Sequence, residues 1–295
     1  MSEFNYKDNR WFSFGIIILC YVIAVIVGIK VFSEIDGALW NRLLFADLAA
    51  TLVIWLLSLM FQNASIYDPY WSVQPVVILT LLLMKYNRYD IGSVLLYAVI
   101  AYWGIRLTVN WAYTFQGLRN QDWRYDQLKE QTGRMFQLVN LLGIQLMPTL
   151  IVYLCILPAA YYMELVDTFN IKIVIGLIIS TAAATLQMIS DNQMHKFRKS
   201  NPDKKKIIRN GLWKYSRHPN YLGEILMWWG VYLTMVGIHH DKWYLCIGAL
   251  INTFLFLLIS IPMAEKRLSG YKEGYEEYKK ETRKLLPLPK NIWNT

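Results

Sequence analysis

"GLWKYSRHPNYLGEILMWWG", residues 211–230, joins a densely basic stretch to an apolar run, and its reading decides which solvent the chain folds in. Four polar side chains, Arg217, His218, Asn220 and Glu224, stand where the hydrophobic segment begins. Outward from this stretch the 295-residue chain is 55% hydrophobic, 15% aromatic and only 17% charged, whereas soluble domains carry about 25% charged residues. Apolar windows approaching the roughly 20 residues that cross a hydrocarbon core recur near 11–32, 43–61, 70–84, 91–115, 135–163, 171–190, 221–238 and 243–263. The pattern predicts an all-α, polytopic integral membrane helical bundle with seven or eight transmembrane helices. Segment 70–84 is short and carries Pro75, which leaves a re-entrant geometry open; 135–163 is long enough to tilt, or to break near Pro148 and Pro158.

The first apolar run is long, contains Lys30 and shows no small-x-small cleavage pattern, so it reads as an anchor helix rather than a secretory signal. The expected organisation is an N-terminal anchor helix and loop over 1–42 and a membrane domain over 43–295, together one domain. Cys20, Cys155 and Cys246 fall in separate apolar runs, which argues for packing roles and against a disulfide framework. The four histidines, His195, His218, His239 and His240, form no HExxH or Cys/His ligand spacing, so no metal is expected.

Charge is concentrated. Residues 195–217 hold nine Lys/Arg (Lys196, Arg198, Lys199, Lys204, Lys205, Lys206, Arg209, Lys214, Arg217) against the single acid Asp203, so this stretch carries +8 of the chain's net +9. The positive-inside rule makes that loop cytoplasmic. With eight spans, the N-terminus, the 116–134 loop and the 264–295 tail share its side, and the short, nearly charge-balanced connections lie opposite. Such a loop commonly fixes orientation and attracts anionic lipid; it can also form a pocket for an anionic cofactor. No nucleic-acid module surrounds it, so nucleic acid is not an expected partner.

Company favours the pocket. Upstream, Gln187, Asp191 and Arg198 fall at i, i+4 and i+11 on one helix face. Downstream, Pro219 suits a first helical turn, and Asn220 and Glu224 follow at i and i+4. Ionisable groups within a span are functional candidates by default, and here they are Glu224, Arg106, Asp47 and Asp68. Asp68, in "SIYDPYW", also reads as a helix N-cap before Pro69, and Arg106 as a snorkelling or Asp47-paired structural residue.

These residues resemble a family. "GLWKYSRHPNYLGEILMWWG" is similar to the C-terminal signature of the steroid 5α-reductase superfamily, in particular its bacterial branch, domain of unknown function 1295. "SIYDPYW" (65–71), "GIRLTVN" (104–110), "QDWRYDQL" (121–128), "SDNQMHKFR" (190–198) and "AEKRLSGYKEGYEEYKKETRKLLP" (264–287) follow in the branch's order, covering roughly residues 45–290. Isoprenylcysteine and phospholipid methyltransferases, which use S-adenosylmethionine, carry a similar RHP-x-Y-x-G stretch and acidic, Tyr-rich tail.

The reductase resemblance implies NADPH bound by the two helices flanking the basic loop, with that loop and the tail. The corresponding cofactor-binding positions are Gln187, Asp191, Arg198, Lys206, Arg209, Arg217, His218, Asn220, Tyr221, Glu224, Arg267 and Tyr278, with Lys266 as the alternative to Arg267. The chemistry agrees: cations for phosphates, an acid for ribose hydroxyls and amides for nicotinamide. No GxGxxG occurs, so a Rossmann site is not expected. Eukaryotic relatives pair a Glu on an early helix with a Tyr on the next to polarise an enone carbonyl. Here Asp68 falls near the Glu position but Trp103 near the Tyr position, so Tyr102, Tyr113 or Tyr70 would have to supply the phenol. The candidate catalytic set is Asp68, Tyr102 and Arg106, aimed at a developing enolate oxygen. The implied activity is NADPH-dependent reduction of a lipophilic, conjugated C=C substrate in the bacterial inner membrane, with both termini cytoplasmic. The implied partners are membrane lipids and a lipid-like small molecule, with no protein partner. The alternative is methyl transfer from S-adenosylmethionine.

Overall fold

The computed structural model describes residues 7–166 and 168–287. Among them there is no strand; twelve α-helices are joined by short 3₁₀ and π segments, with one isolated bridge between Ser216 and Arg283. The chain divides into two compact units, Met1–Tyr89 with Ile100–Asp167, and Asp90–Val99 with Thr168–Thr295.

The first unit opens with α1 (Arg10–Glu34), N-capped by Asn9, whose side chain accepts from the Phe12 amide at 3.0 Å. Next comes α2 (Leu39–Phe61), then a 3₁₀ turn (Ala64–Tyr67) capped by Asn63, and α3 (Tyr70–Tyr86). α1 and α2 pair closely, because Gly28 lets the backbones approach: a Cβ there would sit 3.4 Å from the Ala46 carbonyl oxygen. α4 (Ile91–Thr114) gives its first turns to the second unit and the rest to the first. Gly104 on α4 lies against α3, where a Cβ would come within 2.5 Å of the Ser72 carbonyl oxygen. α5 (Trp123–Thr132) is capped by Asp122. Then α6 (Phe136–Val139), a π segment (Asn140–Leu146) and α7 (Met147–Leu165) complete the unit. Its core gathers Ile17, Ile54, Ile66, Tyr67 and Tyr70.

The second unit is built on α8 (Ile173–Ser200) and α9 (Pro219–Val236), followed by a 3₁₀ turn (His240–Leu245), α10 (Cys246–Phe254), a π segment (Leu255–Ser260), α11 (Ile261–Tyr271) and α12 (Tyr275–Glu281). Small residues let α8 and α9 touch backbone to backbone. A Cβ at Gly176 would lie 2.5 Å from the Gly230 carbonyl oxygen, and one at Gly223 2.6 Å from that of Ala183.

Both π segments are followed two residues later by a proline, Pro148 and Pro262. Proline has no N–H for the carbonyl four residues earlier, Ile144 and Leu258 respectively, so the helix widens there instead of stopping. The break expected in 135–163 is this π segment, and Pro158 is carried inside α7. Pro75 likewise lies inside α3.

Seven helices among the described residues are long and apolar enough to cross a membrane: Arg10–Glu34, Leu39–Phe61, Ala64–Tyr86, Ile91–Thr114, Trp123–Leu165, Ile173–Ser200 and His240–Tyr271. The protein is an all-α, multi-pass integral membrane protein. The 3₁₀ turn lengthens the expected 70–84 segment to 23 residues. The remaining expected span, 221–238, is α9, whose 18 residues include Asn220 and Glu224.

Candidate functional site

In the second unit the quoted motif lies where α8, α9, α11 and the tail meet. Pro219 occupies the first turn of α9, as its fixed φ favours. From there Glu224 points at α8: its Oε2 accepts from Gln187 Nε2 at 2.9 Å, and its Oε1 from Trp228 Nε1 at 2.8 Å. All three side chains are buried. The two predicted polar helix faces therefore do converge, through an amide–carboxylate bond across the glycine-lined α8–α9 contact.

Arg217 and His218, one and two residues before Pro219, turn toward the tail. Arg217 Nε donates to Glu265 Oε1 at 2.8 Å, and its Nη1 to the carbonyls of Thr282 (2.5 Å) and Lys279 (3.0 Å). His218 Nε2 lies 3.2 Å from the same Glu265 oxygen, and its ring stacks on Tyr221 at 5.2 Å and 5°. Tail and loop are then zipped together. Ser216 donates to the Leu285 carbonyl, the Arg217 amide to that of Arg283, and the Glu273 amide to that of Lys205. Tyr278 donates to the Trp213 carbonyl at 2.5 Å, and burial pushes its phenol above the usual range, so it stays protonated as the donor. Trp213 in turn donates to the Ser190 carbonyl of α8.

The predicted cofactor-binding residues therefore divide. Gln187, Glu224, Arg217, His218 and Tyr278 are buried and joined by hydrogen bonds to the unit's own framework. Arg209 is exposed but pairs with Glu281 at 2.9 Å and donates to the Gly274 carbonyl. Asp191 and Asn220 are half-buried, Tyr221 stacks on His218, and Arg198, Lys206 and Arg267 are exposed. Glu265, the acid at the centre of the Arg217–His218 cluster, is not among the residues that the sequence singles out. It stands within the "AEKRLSG" motif, but only the fold shows which basic residues it meets.

In the first unit Asp68 is the C-cap of the 3₁₀ turn and Pro69 the cap of α3, with no side-chain cap bond. The N-cap alternative for Asp68 is thus replaced by a different arrangement: its Oδ1 accepts from Tyr125 Oη at 2.7 Å. Tyr125 belongs to the "QDWRYDQL" motif on α5, 57 residues along the chain, so the spacing around Asp68 does not indicate this phenol. Tyr102 and Arg106, four residues apart on α4, are half-buried. Asp47 accepts from Tyr70 Oη at 3.1 Å and from Gln74 Nε2. Tyr125→Phe is expected to leave the Asp68 carboxyl without this donor and cost about 1–3 kcal/mol. Thermal unfolding in detergent checks this; a change below about 0.5 kcal/mol would show the bond contributes nothing to stability.

A family profile described as "Protein of unknown function (DUF1295)" matches residues 54–282, well over half the chain. Over 116 residues the chain is 29% identical to "3-oxo-5-alpha-steroid 4-dehydrogenase 1" of Macaca fascicularis, a stretch covering 39% of this chain and 41% of that protein. No solved structure matches.

Proposed function

Since the chain belongs to the DUF1295 family and is distantly similar to a steroid dehydrogenase, we propose that it is a membrane-embedded, NADPH-dependent reductase of a lipophilic, conjugated C=C substrate. The second unit holds the cofactor in this reading. The observation that carries it is the meeting of two polar helix faces, Gln187 of α8 with Glu224 of α9, on the two helices that flank the basic loop. The donor set fits a phosphate-bearing dinucleotide. Arg198, Lys204 and Lys206 are exposed cations for phosphates, and half-buried Asp191 and Asn220 offer a carboxylate and an amide. The Gln187–Glu224–Trp228 group holds the two helix faces in place, Arg217 and Glu265 hold the loop root against the tail, Tyr278 ties the tail to Trp213, and Arg209 and Arg267 are further exposed cations. NADPH, when bound, supplies the hydride. In the first unit, Asp68 with the Tyr125 phenol, together with Tyr102 and Arg106, is the donor set for polarising a substrate carbonyl. α9 makes the eighth crossing, its 18 residues rising about 27 Å, so that both termini and the basic loop share the cytoplasmic side of a bacterial inner membrane.

The test is thermal unfolding of detergent-purified protein titrated with NADPH, NADH and S-adenosylmethionine. A ligand at 100 times its Kd adds about 2.7 kcal/mol of stability. NADPH is expected to stabilise saturably. Lys204→Ala with Lys206→Ala should weaken NADPH more than NADH, because those cations meet the extra phosphate. Stabilisation by S-adenosylmethionine alone would replace the reading with methyl transfer, which the "RHPNY" stretch resembles.

A further inference from the structure

An elongated cavity of about 240 Å³ lies inside the first unit, between α1, α2 and α3. The facing positions on α1 and α2 that make room for it are small: Ala24, Gly28, Ala46 and Ala50. Its lining runs from Tyr21 to Phe32 on α1 and from Tyr70 to Lys85 on α3, which at about 1.5 Å per residue is roughly 16 and 22 Å. One leaflet, half of the hydrocarbon core, is about 15 Å deep. Ile29 and Leu81 line the cavity yet are 44% and 37% exposed on membrane-crossing helices, so it opens sideways to the bilayer as a groove. At the end away from Lys85, Tyr70 and Gln74 are hydrogen-bonded to Asp47, and Tyr21 donates to the Ile66 carbonyl at 2.8 Å.

The other end is cationic. The exposed Lys85 ammonium lies 4.4 Å from the Phe32 ring centre and 5.6 Å from that of Tyr86. The Arg42 guanidinium lies 4.2 Å from the same Phe32 ring, and its Nε and Nη2 donate to the Phe32 carbonyl. Among the described residues, neither the Lys85 ammonium nor Arg42 Nη1 donates a hydrogen bond. Sharing one ring holds the two cations within about one Debye length, roughly 10 Å at 0.1 M salt, so they repel unless an anion joins them. Glu164 bears on Lys85 but accepts from the Tyr86 hydroxyl at 3.2 Å. Two cations against this one acid leave the mouth of the groove positive.

From this geometry we infer that the groove binds one acyl chain of an anionic phospholipid, whose phosphate sits between Lys85 and Arg42. The apolar slot matches a chain of one leaflet, and its open flank lets the second chain remain in the bilayer. The two unused donors select an anionic oxygen. A zwitterionic lipid offers the same phosphate but brings its own cation to a positive site. A lysine that only snorkels to the interface would show no such selection. Nothing in the inference depends on the cofactor in the second unit.

The test uses the full chain in phosphatidylcholine nanodiscs containing a trace of diazirine-bearing lipid, either phosphatidylglycerol or phosphatidylcholine, with the photoreactive group at mid-chain. Labelled peptides are mapped by mass spectrometry, which separates this groove from the basic loop. Labelling within α1–α3 is expected, about fivefold stronger from phosphatidylglycerol, the effect of one cation on an anionic lipid. Lys85→Gln should bring the two lipids level without abolishing the labelling. Val25→Trp, at a half-buried lining position, should fill the slot and abolish labelling by both. Equal labelling by the two lipids in the unmodified protein would overturn the inference without reference to any variant. So would labelling confined to other helices, or labelling that survives Val25→Trp in protein whose unfolding temperature is unchanged. Displacement of the label by oleate at lower concentration than by unlabelled phosphatidylglycerol would also overturn it, since the guest would then be a free fatty acid.

Discussion

Arg217→Met is expected to detach the tail and lower stability by about 3–5 kcal/mol, the cost of removing one partner from a buried ion pair. The Arg217 side chain is 7% exposed and that of Glu265 13%. Methionine keeps much of the stem's volume but leaves the Glu265 carboxylate with only His218 at 3.2 Å, and the Lys279 and Thr282 carbonyls without their donor. Glu265→Gln should cost less, because the amide can still accept from Arg217. The pair Arg217→Met with Glu265→Leu should cost clearly less than the two single losses combined, since it leaves no orphan charge. The readouts are thermal unfolding and the rate of proteolytic cutting within 272–287. If the tail is cut no faster in Arg217→Met, the clamp is not what holds it.

Gly230→Val is expected to have an effect of similar size by another route. Any Cβ at this position would overlap Ser180 Oγ, lie 2.7 Å from the Ser180 amide nitrogen and 2.8 Å from the Gly176 carbonyl oxygen. Two of these are backbone atoms inside a helix, which cannot move as the end of a side chain can. Overpacking of this kind costs about 1–3 kcal/mol, occasionally more, and here it pushes α8 from α9 at their closest approach. The Gln187–Glu224 bond at 2.9 Å should stretch with it, so NADPH-dependent stabilisation should fall alongside the unfolding temperature. Gly15→Val is the control: nothing lies within 4 Å of a Cβ there, and the change should stay within about 0.5 kcal/mol. Equal behaviour of the two variants would mean that α8 and α9 do not pack in this way.

The helical membrane architecture was legible because hydrocarbon is an undemanding selector: about 20 apolar residues make a span whatever their order. The i, i+4 spacing of Gln187 with Asp191, and of Asn220 with Glu224, was legible for the same local reason. The spacing could not say which partner each polar group meets. Arg217 reads as a phosphate ligand beside a basic loop, yet it is bonded to an acid 48 residues away. Asp68 reads as a cap because Pro69 follows, yet its partner is a phenol 57 residues on.

By itself, then, the sequence determined the solvent, the helices, the basic loop and the polar faces, since each depends on composition or on neighbours within a few turns. Tertiary structure alone decided two things: that Glu265 joins Arg217 and His218, and that Tyr125 joins Asp68. A buried polar group must find a partner, and in a bundle that partner comes from whichever helix packs against it, at a sequence distance that local periodicity does not record.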